Sequence, residues 1–211
     1  MITAYKNSTI TECAKTVATN NISSLVILED DNNNLAGIIT ATDFANFFSE
    51  NCIGFVFVKD YMSQSLFAIS LKEKVSTAAQ IMSEKKVSRL IVVDPDNQKK
   101  LAGIISETDI SGTIPAFKSR TIGSVYENME LLFSSKSKPD FIEPSLVRIY
   151  DIMTRNIITM AKDADLAEAA KIMIKHGIGG LPVTESQDNM EQPIGVISKS
   201  DIVNALIREE D

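Results

Sequence analysis

Three copies of one short phrase carry the residue types that could do chemistry. They read Gly37-Ile38-Ile39-Thr40-Ala41-Thr42-Asp43, Gly103-Ile104-Ile105-Ser106-Glu107-Thr108-Asp109 and Gly195-Val196-Ile197-Ser198-Lys199-Ser200-Asp201. The shared pattern is Gly, two β-branched residues, a hydroxyl residue, any residue, a second hydroxyl residue and Asp. A carboxylate can accept both hydroxyls of a vicinal diol such as that of ribose, and the side-chain hydroxyls can donate to phosphate or ribose oxygens. If the β-branched pair ends a strand and the Asp opens a helix, backbone N–H groups of the first turn add anion donors. Asp at a helix start also serves as a cap and dipole partner with no ligand at all. Both readings stand at this point.

The elements that must position these residues also repeat, and internal repetition decides the fold. Ahead of each phrase lies a second shared run: Asn21-Ile22-Ser23-Ser24-Leu25-Val26-Ile27, Lys86-Val87-Ser88-Arg89-Leu90-Ile91-Val92 and Gly177-Ile178-Gly179-Gly180-Leu181-Pro182-Val183. Further upstream, apolar residues fall at i, i+3, i+4 and i+7, one face of a helix. They are Ile10, Cys13, Ala14 and Val17; Val75, Ala78, Ala79 and Met82; and Leu166, Ala169, Ala170 and Met173. Thr9-x-x-Glu12 and Asp165-x-x-Glu168 read as capping boxes. Lys74 at the matching place is a weaker cap.

Polar turns at residues 30–34, 94–100 and 185–192 join the β-branched runs, so each pair reads as a hairpin. A second helix follows each Asp, with Thr42, Thr108 and Ser200 as its expected N-caps. Each unit is therefore strand, helix, strand, strand, helix, an α+β organisation.

This unit resembles the CBS domain, the module named after cystathionine β-synthase. Repeats two and three also carry the family's lead-in, Val58-Lys59-Asp60-Tyr61-Met62 and Ile149-Tyr150-Asp151-Ile152-Met153-Thr154. The first copy begins at its first strand without one, which reads as a cut or degenerate end. The repeats span residues 1–52, 56–117 and 146–211, with a linker at 118–145 that holds a possible helix from Ile122 to Phe133. The resemblance implies repeats paired sheet to sheet in a pseudo-twofold Bateman module, with adenosyl ligands in the clefts. Ile22 and Val87 are 65 residues apart and Val87 and Ile178 are 91, so repeats one and two are the expected pair. Repeat three would then pair with its copy in a homodimer.

The resemblance also implies site residues. Asp43, Asp109 and Asp201 match the ribose-binding position, with Thr40, Thr42, Ser106, Thr108, Ser198 and Ser200 beside them. Ile22, Ser23 and Ser24, or Val87, Ser88 and Arg89, line the adenine pocket. Arg89 matches a place where nucleotide-sensing members, such as the gamma subunit of AMP-activated kinase, put a phosphate-binding arginine. Its planar, permanently charged fork suits phosphate. Ser24 and Gly180 stand there in the other repeats. The leading site is thus Arg89, Ser106, Thr108 and Asp109, with repeat one lending Ile22 to Ser24. The second is Ser198, Ser200 and Asp201 near Lys199. The bland readings are a solvated Arg89, a tight strand entry at Gly179-Gly180, a helix-end His176 and core-filling methionines such as Met173.

Composition narrows the classes. The 211 residues are 44% hydrophobic, ample for a buried core, and the net charge of −7 argues against binding nucleic acid. Cys13 and Cys52 have no CxxC spacing, which fits a reducing cytoplasm. No apolar run approaches the ~20 residues of a membrane helix, and no signal peptide is visible. No nucleophile–base constellation, metal-ligand cluster or P-loop stands out, so an enzyme is not expected. The expectation is a regulatory module for an adenosine nucleotide (AMP, ADP or ATP), without a catalytic cofactor, acting on a separate effector protein. The alternatives are a binder of S-adenosylmethionine or methylthioadenosine, and a ligand-free scaffold for oligomerisation.

Overall fold

In each repeat the helix-period stripe is followed by two β-branched runs, and the backbone obeys that order. The computed structural model describes residues 2–29, 34–113, 147–187 and 190–208. Repeat one supplies β1 (Thr3–Tyr5), α1 (Ile10–Thr19), β2 (Ser24–Leu28), β3 (Leu35–Thr40) and α2 (Ala41–Asn51). A one-turn lead-in helix, α3 (Val58–Tyr61), precedes β4 (Ala68–Ser70), α4 (Val75–Lys85), β5 (Arg89–Asp94), β6 (Asn97–Ser106) and α5 (Glu107–Thr113). The third set is α6 (Ile149–Ile152), β7 (Met160–Ala161), α7 (Leu166–Lys175), β8 (Gly180–Gln187), β9 (Met190–Ser198) and α8 (Lys199–Arg208). The linker and its expected helix lie outside the described residues.

Each repeat builds a three-stranded sheet, in the orders β1-β2-β3, β4-β5-β6 and β7-β8-β9. The first pair is parallel in all three. The hairpins β2–β3 and β5–β6 are antiparallel, as the polar turns imply. The first helices bury the forecast stripe: Cys13, Ala14 and Val17; Val75, Ala78, Ala79 and Met82; Leu166, Ala169, Ala170 and Met173.

The starts of the first helix of each repeat follow the sequence with one exception. Thr9 and Glu12 close a full capping box, with Thr9 N–H donating to Glu12 Oε2 at 2.8 Å and Glu12 N–H to Thr9 Oγ1 at 3.2 Å. Asp165 does cap α7, through Ala167 N–H at 2.9 Å, but its other oxygen accepts Gly54 N–H at 2.7 Å. Glu168 does not close the expected box. Lys74 makes no side-chain cap bond.

Contacts divide the chain into two compact units. The first takes in Met1–Ser65, Ile158–Glu185 and Ile194–Asp211; the second takes in Leu66–Ile157 and Ser186–Pro193. The first unit therefore holds repeats one and three together. α1 packs on α8, and α2 packs on both α7 and α8. Phe44, Phe48, Leu166, Met173, Ile202 and Leu206 share one core there. Fully burying Phe44 and Phe48 favours this packing by about 1.5–3 kcal/mol each.

The expected partnership of repeats one and two is thus not the one that builds this unit, and repeat three finds its partner within the same chain. Closing the longer loop from Ile22 to Ile178, rather than to Val87, costs only about 0.8 kcal/mol. Proximity in sequence is a weak selector beside two buried phenylalanines.

The lead-ins are exchanged between units. α3, which precedes repeat two, sits in the first unit against repeat three: Val58 N–H donates to Ala164 O at 2.9 Å and Lys59 N–H to Lys162 O at 2.8 Å. Ser63 then forms a mutual backbone bridge with Val196, at 2.9 and 3.0 Å. α6, which precedes repeat three, repeats this geometry in the second unit. Ile149 N–H donates to Glu73 O at 2.9 Å, Tyr150 N–H to Leu71 O at 3.0 Å, and Thr154 bridges Ile104 at 2.9 and 3.0 Å. Val58 and Ile149 are fully buried.

Candidate functional site

Each phrase straddles the end of a strand and the first turn of a helix, so its chemistry begins with capping. Thr40 N–H donates to Asp43 Oδ2 at 2.8 Å, and Thr40 Oγ1 donates to the same oxygen at 2.7 Å. Ser106 does the same to Asp109 Oδ2 at 2.8 and 2.7 Å, and Ser198 to Asp201 Oδ2 at 2.8 and 2.6 Å. Asp takes the place of the Glu of a capping box, reaching back from the third helical position to the residue before the helix.

This corrects the expected caps. The capping hydroxyls are Thr40, Ser106 and Ser198, whereas Thr42, Thr108 and Ser200 occupy the second helical position and are exposed. The reason is backbone geometry: the strand's extended conformation runs through the first hydroxyl residue, as at Thr40 with φ −123° and ψ 167°, which is an N-cap conformation. A carboxylate has roughly four lone-pair directions, and each Asp directs one oxygen to its own cap.

A second constant links the turn to the strand ahead of it. The first N–H of each helix donates to a carbonyl just before the middle strand: Ala41 to Ser23 O at 3.0 Å, Glu107 to Ser88 O at 3.0 Å and Lys199 to Gly179 O at 3.2 Å. The strand entry and the signature are therefore clamped side by side. In the second unit this gathers Ser88, Arg89, Ser106, Thr108 and Asp109. Arg89, half-buried, is the register partner of Ser106 across β5 and β6. Val87 belongs to the apolar packing of this repeat, and Ile22 to that of the first unit.

Ser24 pairs with Thr40 as Arg89 pairs with Ser106. Ile22, Ser23, Ser24, Thr40, Thr42 and Asp43 all lie in the first unit, with Ser198, Ser200 and Asp201. The second unit contains no residue of repeat one, so Ile22 to Ser24 are not part of the Arg89 cluster within that unit.

The first unit joins two signatures directly. Lys199 Nζ donates to Thr42 Oγ1 at 2.9 Å, bringing together the starts of α8 and α2. Sequence reasoning placed Lys199 beside the third signature but assigned repeat one to another partner, so this contact was not foreseen.

Also unforeseen is an open cleft of about 400 Å³ in the first unit. Asp60, Tyr61 and Met62 of the lead-in line it with Asn204, Ile207 and Arg208 of α8. The Arg208 guanidinium lies over the Tyr61 ring, 5.6 Å from its centroid. The recurrence of the lead-in was the one signal that could have pointed there. Among the described residues, no cluster of three or more His, Cys, Asp or Glu side chains could hold a metal ion. Among them, too, no helix is long and apolar enough to cross a membrane.

Comparison with known proteins agrees with this architecture. The CBS domain family model matches residues 1–50, 58–115 and 149–208. A CBS domain-containing protein of Dictyostelium discoideum is 30% identical over 154 residues, covering 72% of this chain and 92% of its own length. Protein MJ1225 of Methanocaldococcus jannaschii is 27% identical over 206 residues, 96% of this chain, which spans 65% of that protein. Its crystal structure superimposes with a TM-score of 0.73 at 26% identity, covering 97% of this chain and 66% of that one. The CBS domain pair of protein MJ0100, solved with 5′-methylthioadenosine and S-adenosyl-L-methionine, is 25% identical with a TM-score of 0.52. It covers 74% of this chain and 98% of that pair.

Proposed function

The chain belongs to the CBS domain family, and from that premise we propose that it is a regulatory module that binds an adenosine nucleotide. The observation that carries this reading is the clamped turn of the second unit: an arginine in register across the hairpin with a serine whose hydroxyl is fixed to a carboxylate. Arg89 supplies a permanent charge for phosphate, Thr108 an exposed hydroxyl, and Asp109 an acceptor for the ribose diol. In the first unit, Lys199 and Thr42 with Ser200 and Asp201 form a second candidate place, with one ammonium instead of a guanidinium.

The ligand is AMP, ADP or ATP in this reading, and binding shifts the association of the units or of a second copy in a homodimer. A separate effector protein in the cytoplasm reads that change, and the module itself performs no catalysis and needs no cofactor. Support comes from MJ1225, whose structure is presented as a candidate archaeal homologue of g-AMPK. A second ligand class is favoured by the MJ0100 pair, solved with methylthioadenosine and S-adenosylmethionine. Uncharged Ser24 and Gly180, where repeat two has Arg89, suit such a ligand.

Isothermal titration with AMP, ADP, ATP and S-adenosylmethionine tests both. Binding near 1 µM, about 8 kcal/mol, is expected for one nucleotide, with at least about a tenfold loss, about 1.4 kcal/mol, in Arg89→Ala and Asp109→Ala. Heat only with S-adenosylmethionine selects the second class. No heat with any of them, in protein free of co-purified nucleotide, overturns the sensor reading and leaves a scaffold.

A further inference from the structure

The three repeats offer the same docking place for a lead-in, and among the described residues two of those places are filled. On β6 and β9, Ile104 and Val196 each turn a backbone N–H and C=O outward to a lead-in residue, Thr154 or Ser63. The preceding glycine lets the lead-in methionine approach. A Cβ on Gly103 would stand 2.9 Å from Met153 Sδ and 2.9 Å from Thr154 O. One on Gly195 would stand 2.8 Å from Ser63 O and 3.0 Å from Met62 Sδ. The helical turn of the lead-in is anchored by two carbonyls of the strand–helix loop: Leu71 and Glu73 in repeat two, Lys162 and Ala164 in repeat three.

Repeat one presents every part of this receptor. Ile38 faces Val26 in the register that Ile104 shares with Ile91, so the pleat turns its N–H and C=O to the outer edge of β3. Ile38 is 62% exposed, and nearby Leu35 is 72% exposed. Among the described residues nothing comes within 4 Å of where a Cβ on Gly37 would stand. The carbonyls of Lys6 and Ser8 match those of Leu71 and Glu73, and no backbone N–H among the described residues donates to them. An open edge with exposed β-branched and apolar side chains is a template for an added strand.

We propose that this edge of repeat one is a docking site for the lead-in segment of another CBS protein. The occupant's chemistry can be read from the two lead-ins the chain already seats. It is a β-branched residue that becomes fully buried, an Asp three places after the N-cap, and a Met followed by Ser or Thr. In both known cases the Asp closes the turn onto the N-cap N–H, Phe57 to Asp60 Oδ2 at 3.3 Å and Arg148 to Asp151 Oδ2 at 3.1 Å. A second copy of this chain is a poorer occupant, because its lead-ins at Val58 and Ile149 are both engaged.

The test uses a fluorescein-labelled peptide of residues 55–65 as the lead-in probe, titrated with the full chain and followed by anisotropy. Saturable binding is expected, weakened at least about tenfold, about 1.4 kcal/mol, by Gly37→Leu and by Ile38→Asp. Ile38 is exposed and no described residue stands within 4 Å of a Cβ on Gly37, so the thermal midpoint of each variant should match the parent, which separates lost docking from lost folding. Replacing the peptide's Met62 by Ala should weaken it as well. The absence of saturable binding, or binding that neither variant weakens, overturns the proposal. A dimer of the chain alone that dissociates in Gly37→Leu also overturns it, in favour of a second copy as occupant.

Discussion

Gly37, Gly103 and Gly195 occupy one position in three copies of a motif, yet their surroundings divide them into two kinds. Gly103 and Gly195 are buried beneath a methionine and a carbonyl oxygen of a lead-in, with no space for another atom. Gly37 is only half-buried, beside a strand edge that no described residue covers. The same residue is therefore required by close backbone approach in two repeats and, among the described residues, by no such approach in the third. Sequence identity between the copies reports a shared architecture, while the demand on the residue depends on what covers it.

The comparison can be broken first at the lead-in core. Ile149→Ala should cost about 2–5 kcal/mol, since a fully buried side chain leaves a cavity. Ile38→Ala, on the uncovered edge, should stay within about 0.5 kcal/mol. Urea denaturation measures both, and a large effect at Ile38 would mean that the edge is covered. Next come the glycines. Gly103→Ala and Gly195→Ala force a methyl into atoms less than about 3 Å away and should each cost about 1–3 kcal/mol. Gly37→Ala should be neutral, or stabilise by about 0.4–1 kcal/mol by restricting the unfolded chain. Equal losses at all three would refute the division.

The caps sharpen the comparison from the other side, because they do not differ among repeats. Asp43→Ala, Asp109→Ala and Asp201→Ala should each lower stability by about 0.5–2 kcal/mol, measured by thermal unfolding without ligand. A change at only one position would show that the shared geometry is not what stabilises the turn. The smallest effect is a pH dependence peculiar to repeat one. Cys13 stands where Ala78 and Ala169 stand in the other repeats. Burial chiefly, and the Glu12 carboxylate next, push its thiol above the ordinary 9.0. The unfolded chain then loses that proton first, so the contribution is intact below about pH 9 and declines as pH rises toward the folded value. Cys13→Ala should flatten this alkaline slope in a urea-midpoint series from pH 7 to 10; an unchanged slope would assign it to other groups.

Much of the architecture was legible because it is local. The helix stripes, the alternation of strands and the capping box at Thr9 and Glu12 involve residues a few positions apart, and their spacing is the geometry itself. The signature was legible as a strand-to-helix turn, but the cap was placed one hydroxyl too late. Composition does not separate Thr40 from Thr42; the backbone conformation at the end of β3 does. The grouping of Arg89 with Ser106 and Asp109 rested on the resemblance to the CBS domain, and the register of β5 and β6 sets Arg89 opposite Ser106. The contact between Lys199 and Thr42 was not legible, since it joins repeats far apart in the chain.

The amino-acid sequence by itself determined that the chain is a threefold repeat, the order of elements in each copy, and the residues that meet at each turn. The tertiary structure decided that repeat one packs with repeat three, that each lead-in serves a repeat other than the one it precedes, and that Gly37 lies uncovered among the described residues. The physical reason is degeneracy. The copies bury faces of nearly the same composition, and loop closure distinguishes their pairings by only about 1 kcal/mol. Shape complementarity of particular side chains, such as Phe44 and Phe48 against α7 and α8, then selects the partner.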